Sequence, residues 1–332
     1  MFTPIETSIG ALLLHQATSV LLFNNGSVLG ASGLLRRLLN SPSRATLSFF
    51  AGMALSFLPL KLLLPELIPE YPPIPSTWQT ALATVGVGAL IGWGTKACNG
   101  CTSGHMLCGL SRLSGRSFIA VGVLFPTAIL TYHLTHPSLF TDICPPGVPC
   151  YLPTYPSHAT TASLLFLAAM AIATAQLVPP IVAYLTPQYT KCDPNSPARQ
   201  TTQFLSGLTF GLGLLISKMS QPSKLLSFFA FPNLDAWDPS MLLVMIFGVL
   251  PNLIQNMTRG FTKPPCFGER FNLPNKTVKD IDWKFVVGAA IFGIGWGLHG
   301  ICPGPAVLRS VAQPLWGLLW MSGFWAGGHF VW

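Results

Sequence analysis

Apolar residues fall along the chain in runs closed by Pro, Gly, Asn or charge, near 8–24, 45–64, 78–97, 117–135, 159–186, 203–217, 240–258, 284–300 and 314–331. A crossing helix needs about 20 apolar residues and satisfies its backbone groups internally, so these runs predict nine membrane-spanning helices. The short alternating segments of a membrane barrel are absent. The run Ile9–Phe23 lacks a basic flank and a small-residue cleavage site, and reads as the first span rather than a signal peptide. Four shorter apolar pieces, near 29–39, 102–113, 222–231 and 303–311, each follow a Gly-, Ser- or Pro-containing break directly after a full run. Too short to cross, they predict re-entrant half helices, tolerated at membrane depth only where protein buries them or they line a cavity.

The order span, short helix, span, span, short helix, span occurs over 8–135 and again over 203–331, with the run 159–186 between. One intervening crossing inverts the second copy. The expected architecture is therefore an all-α integral membrane protein with about nine transmembrane helices, four half helices and an inverted-topology repeat. Its parts are a first repeat at 1–135, a connecting unit at 136–202 (outward loop, helix, cytoplasmic loop) and a second repeat at 203–332. In such folds a substrate site forms near the midplane, where the breaks meet. Gly92-Trp93-Gly94 ahead of Cys101 is echoed by Gly295-Trp296-Gly297 ahead of Cys302, with spacings that differ by two residues.

Composition agrees with a membrane chain. Half of the 332 residues are hydrophobic and only 8% are charged, against about 25% in soluble domains. The net charge of +8, which would suggest a nucleic-acid partner in a soluble protein, here sits in loops. Of the 18 Lys and Arg, all but Lys61, Lys218, Lys224 and Arg309 fall on one side of the nine-span scheme. The positive-inside rule then predicts an outside N-terminus and a cytoplasmic C-terminus in a cell membrane, plasma or inner. The loop 136–158 carries Cys144 and Cys150 in CPPGVPC and no Lys or Arg, so it is expected outside. A disulfide can form there, with a free pair as the alternative. Cys192 and Cys266 read as ordinary thiols of cytoplasmic loops.

Chemistry concentrates at two breaks, in CNGCTSGHMLC at 98–108 and HGICPGP at 299–305. A short helix starting after Cys101, and another after Cys302, would each turn unsatisfied N–H groups and a positive dipole end toward its cysteine, which suits an anion. Gly100, Gly104, Gly300 and Gly304 allow tight turns and close backbone approach. Pro303 fits a first helical turn, and Thr102 and Ser103 offer hydroxyl donors. The thiols add polarizable contacts suited to a soft or sulfur-bearing ligand. Cys98 and Cys108 read as small packing residues, and His105 and His299 divide between interhelical bonding and a pathway role. Lys218 reads as a snorkelling side chain, Met219 and Met321 as core or lipid-facing, and Arg112, Arg116 and Arg309 as interfacial anchors. Two other readings stay open: a zinc or copper site built on Cys98, Cys101, His105 and Cys108, and a redox dithiol of Cys98 and Cys101. No enzymatic activity and no cofactor are expected.

The stretch GWGTKACNGCTSGHMLCGLSRLSGRSFIAV, Gly92 to Val121, resembles the signature of the YeeE/YedE family of sulfur-compound transporters, and FGIGWGLHGICPGPAV, Phe292 to Val307, resembles its second-half counterpart. Weaker likenesses lie at Gly26–Leu35 and Phe210–Phe229. The resemblance implies an hourglass-shaped importer of thiosulfate or a related sulfur oxyanion, its re-entrant loops meeting at mid-membrane. It also implies that the ion passes along thiols, here Cys101 and Cys302, in a form that fuses two halves often found as separate chains. Some members carry a further cysteine in the first break, where this chain has Ser32, either a hydroxyl substitute or a packing residue. A cytosolic sulfur-carrier protein is a possible partner, with the chain as its membrane platform.

Overall fold

Helix α1, Pro4–Asn25, begins with a proline whose missing N–H costs nothing in the first turn and ends at Gly26, whose φ of 70° lets its N–H cap the Leu21 and Leu22 carbonyls. The computed structural model describes residues 1–136, 144, 148–187 and 192–331, and their regular structure is helix, without a β-strand. A short α2, Ala31–Asn40, leads to α3, Arg44–Leu55. Pro59 has no N–H to offer the Leu55 carbonyl, so the helix breaks there before resuming as α4, Phe57–Leu63. Next come α5, Trp78–Ala97, a π-helical turn at Ser103–Gly109 continued by Leu110–Arg112, and α6, Gly115–Thr135. Helix α7 is His158–Leu185, α8 Pro197–Ile216 and α9 Pro222–Phe229. Helix α10, Ser240–Val244, runs through a π stretch into α11, Leu250–Arg259. The chain ends with α12, Trp283–His299, α13, Pro303–Ala312, and α14, Pro314–His329.

Each of the nine apolar runs is helical. Among the described residues six stretches are long and apolar enough to cross a membrane: Pro4–Asn25, Arg44–Leu63, Gly115–Thr135, His158–Leu185, Ser240–Arg259 and Trp283–Ala312, the last joining α12 and α13. The molecule is thus an all-helical, multi-pass membrane protein. The four short pieces stand where the breaks placed them, but the second is π-helical rather than α-helical. Widening a helix frees carbonyls, and α11 answers them: Asn252 Nδ2 donates to Leu107 O and Asn256 Nδ2 to Ser111 O, at 3.3 and 3.0 Å. The two-residue mismatch between the breaks also has a cause. Helix α5 runs three residues past Gly94, and α12 two past Gly297; Asn99, at φ 56°, then adds a loop residue that the turn at Gly300 lacks.

Glycines set the helix spacing. A Cβ on Gly88 or Gly92 of α5 would strike the Trp320 or Phe324 backbone of α14, and one on Gly323 or Gly327 of α14 would strike Val85 or Ala89 of α5. The two helices therefore touch backbone to backbone along a pair of four-residue-spaced glycine steps. Gly52 of α3 and Gly207 of α8 do the same against Phe204 and Phe49, and Gly293 and Gly297 of α12 against Leu124 and Ala128 of α6. Gly10 of α1 and Gly213 of α8 bring those two helices into close contact in the same way. In this frame α1 is central, with 78% of its apolar window buried, whereas α7 is peripheral at 28%. Phe166, Leu177 and Tyr184 of α7 face outward, as lipid contact requires.

The loops at 136–158 and 187–202 lie partly outside the described residues, at 137–143, 145–147 and 188–191, the last including Lys191. Cys144 and Cys150 are joined as a disulfide with Cα atoms 5.7 Å apart. Cys150 also holds the chain start, its carbonyl accepting from the Phe2 N–H at 3.0 Å.

Adding one methyl at Gly207 or Gly323 should separate these helix pairs, while Gly86 and Gly122 face open space. Gly207→Ala and Gly323→Ala are expected to destabilise the protein by about 1–3 kcal/mol, and Gly86→Ala and Gly122→Ala to be near neutral. Thermal unfolding in detergent, followed by tryptophan fluorescence, checks this.

Candidate functional site

Two turns aim the breaks at one another. After α5 the chain reverses through Asn99, and the Gly100 N–H returns to Thr95 O at 2.9 Å, placing Cys101 at the start of the next helical segment. After α12, Gly300 (φ 60°) gives its N–H to Trp296 O at 2.7 Å, and Cys302 becomes the residue before α13. Gly300 is fixed here twice over, since a Cβ would also meet the Pro222 carbonyl of α9.

Between the breaks lies a cavity of about 50 Å³, room for a few waters or one small ion at roughly 10–15 Å³ each. Cys101, Thr102 and Ser103 line it from the first break, and Cys302, Gly304 and Pro305 from the second. Met106, Met219 and Met241 complete a wall bearing five sulfur atoms, with no acidic side chain among the lining residues. Trp296 also lines it, and its indole N–H is buried with no hydrogen-bond partner among the described residues.

Hydrogen bonds tie the thiols to three elements. The start of α2 donates into the first break, Ala31 N–H to Ser103 Oγ at 3.0 Å and Ser32 N–H to Cys101 Sγ at 3.4 Å. Cys101 Sγ lies 3.3 Å from Ser103 Oγ. Across the breaks, Cys302 Sγ lies 3.3 Å from Thr102 Oγ1, a direct bond between the two halves of the site. The first turn of α13 is poor in donors, because Pro303 and Pro305 have no N–H and Gly304 stands alone between them.

The remaining candidates stand one layer back. Ser32 is buried and reaches the site through its backbone N–H. His105 turns away from the cavity: Nδ1 lies 3.1 Å from Ser117 Oγ and Nε2 3.0 Å from Cys98 O. Gly100 packs flat against that ring, and Gly104 faces the Gly30 backbone. Gly300 and Pro303 shape the second turn without lining the cavity, whereas Gly304 lines it and packs on Phe210. Cys98 donates to Gly100 O at 3.2 Å and Cys108 to Leu29 O at 3.4 Å. The four-ligand metal reading is thereby corrected. Among the described residues no three His, Cys, Asp or Glu side chains converge on a point, and both His105 nitrogens are engaged.

Sequence reasoning missed the three methionines and Trp296. The Gly-Trp-Gly echo was the available signal for the tryptophan, while the methionines have the same spacing as ordinary core residues. Several cations also have protein partners that the sequence did not reveal. Arg309 is 6% exposed, its guanidinium 4.1 Å from the Trp316 ring centre and donating to Pro72 O at 3.0 Å. Arg116 is likewise buried, over Phe285. Lys218 pairs with Glu6 of α1 at 3.7 Å. Beside Arg309, burial raises the Tyr71 phenol above its ordinary value and keeps it protonated.

Residues 200–328 match the family described as a family of unknown function (DUF6691). A protein named "Probable transporter" from Xylella fastidiosa (strain Temecula1 / ATCC 700964) is 38% identical over 136 residues, 41% of this chain and 89% of that one. One of the same name from strain 9a5c is 41% identical over 109 residues, 33% of this chain and 73% of that one. A second Temecula1 protein so named is 33% identical over 126 residues, 37% of this chain and 88% of its own length.

Of the six free cysteines described, only Cys192 and Cys266 are exposed. Folded protein in detergent is expected to label with maleimide rapidly at those two. Cys98, Cys101, Cys108 and Cys302 should follow only on denaturation, as intact-mass spectrometry would show.

Proposed function

The chain belongs to the same family as these probable transporters of Xylella fastidiosa, and from that premise we propose that it imports thiosulfate or a related sulfur oxyanion through the constriction between Cys101 and Cys302. One observation carries the reading: two thiols from separate breaks border one cavity lined also by Thr102, Ser103 and Trp296, whose indole N–H is buried without a partner among the described residues. A buried donor without a partner is costly, and an anion would satisfy it. Thiols and thioethers are polarizable and suit the terminal sulfur of thiosulfate, while Thr102, Ser103 and the Gly304 N–H suit its oxygens. The same sulfur lining would also hold a soft cation. The lack of a lining carboxylate and the spare N–H favour an anion.

In this reading the protein is the fused form of the YeeE/YedE type, nine spans with four half helices in an hourglass built from the repeats 1–135 and 203–332. The pairing of helices supports the inverted repeat. A two-fold relating α5 to α12 and α6 to α14 converts the α5–α14 contact into the α12–α6 contact, and both rest on glycines. Relatives with fewer than half this chain's residues fit a fusion. The cations at Lys96, Arg112, Arg199, Arg259 and Arg270 then face the cytoplasm, with the N-terminus and the Cys144–Cys150 disulfide outside in the cell membrane. His105, Gly100, Gly104, Ser32, Gly300 and Pro303 hold the thiols in place. A cytosolic sulfur carrier would receive the product.

Uptake of radiolabelled thiosulfate into liposomes holding this chain alone tests the proposal and separates a transporter from a platform. Cys101→Ala and Cys302→Ala are each expected to lower uptake by about tenfold or more, and Trp296→Phe to raise KM by about tenfold, the worth of one hydrogen bond to an ion. Wild-type uptake by both cysteine variants would overturn the thiol pathway.

A further inference from the structure

Two lysines stand near one another beyond the cavity, and they are bonded very differently. Lys224 is saturated: its ammonium donates to Met1 O, Thr3 Oγ1 and Asp238 Oδ2, each at 3.0 Å. Lys218 makes no side-chain hydrogen bond among the described residues, and its one partner is Glu6 at 3.7 Å, beyond hydrogen-bond reach. Its three donors are therefore free for a ligand.

Three features around Lys218 fit a ligand site. Glu6 is 4% exposed, and its second oxygen, Oε2, is buried without a partner, so the carboxylate holds the ammonium loosely. Two residues along, the Ser220 hydroxyl is fully buried beside the Tyr71 phenol, with no close hydrogen bond formed by either. Lys218 itself has φ 58°, a left-handed conformation that a non-glycine residue adopts only at a cost. That conformation turns the chain between α8 and α9 and places the adjacent Met219 on the cavity wall. The side chain is 25% exposed, while its neighbour Met219 lines the cavity.

We propose that Lys218 is an anion-binding station at the mouth of the cavity, at which a small oxyanion takes the ammonium from Glu6, accepts from the Ser220 hydroxyl, and is handed on past Met219. Thiosulfate as the anion rests on the transport reading above, but the station itself requires only a compact polyatomic anion. Glu6 competes with that anion. It keeps the ammonium from standing alone when the site is empty, and its loose geometry keeps the exchange cheap.

Saturation curves for thiosulfate uptake in proteoliposomes test it. Lys218→Gln is expected to raise KM by about tenfold with the maximal rate little changed, the loss of one charge-assisted bond. Lys218→Arg should stay within about threefold of wild type, and Glu6→Gln should lower KM. A wild-type KM in Lys218→Gln, or equal losses in the Gln and Arg variants, overturns the station. Thermal unfolding of purified protein in sodium thiosulfate, sulfate and chloride at equal ionic strength separates this from failure of the transport reading. Stabilisation by the polyatomic anions that is present in wild type and absent in Lys218→Gln supports the station even if no thiosulfate is transported. Equal stabilisation in both proteins, or none in wild type, overturns it.

Discussion

Backbone-to-backbone contact between helices, allowed by glycine, is the constraint on which the arrangement rests. At Gly52, Gly92, Gly207 and Gly323 the neighbouring chain occupies the place of a side chain, so no larger residue fits without moving a helix. In a bilayer, where lipid competes evenly for apolar side chains, close approach is what makes one helix prefer another to lipid. The same contacts position the site. α5 and α12 meet where Gly94 touches Phe292 and Gly288 touches Cys98, so the end of α5 that leads into the first break is seated directly on α12.

At the breaks the backbone leaves the helix at depth, and each exposed group must find a protein partner. The partners come from far along the chain. Leu107 and Ser111 carbonyls are met by Asn252 and Asn256, and Asn252 in turn bonds His15 and Thr18 of α1. The π-turn, α1 and α11 thus form one polar unit beneath the cavity, and the start of α2 joins it through Ser103 and Cys101. Among the buried groups left unpaired are the N–H of Trp296, a residue that lines the cavity, and, close to Lys218, the Ser220 hydroxyl and one oxygen of Glu6.

Much of this was legible in the chain. The helices stand where apolar runs and Gly or Pro punctuation put them, because those signals act within a few residues. Cys101 and Cys302 were legible because each sits at such a punctuation mark beside an echoed Gly-Trp-Gly. The rest depends on contacts between distant segments. The π register of Ser103–Gly109 is supported by asparagines 145 positions away, and Met106, Met219 and Met241 come to line one cavity only when three separate elements converge. Glu6 stands just ahead of the first apolar run, and its partner Lys218, just past the end of α8, is too distant in sequence for any local pattern to reveal. His105 was read for its chemistry, whereas its two ring nitrogens are spent on holding the turn before Cys101.

Pro303 and Pro305 give the cavity a polarity of grip. On the side of the first break, hydroxyls and backbone N–H groups lie side by side; on the side of α13 one N–H stands between two imino acids. An ion resting between the thiols would sit off-centre, held on one flank and merely touched on the other. On the transport reading proposed above, the two flanks would then differ in hold time rather than in width, so inward and outward movement need not run at equal speed.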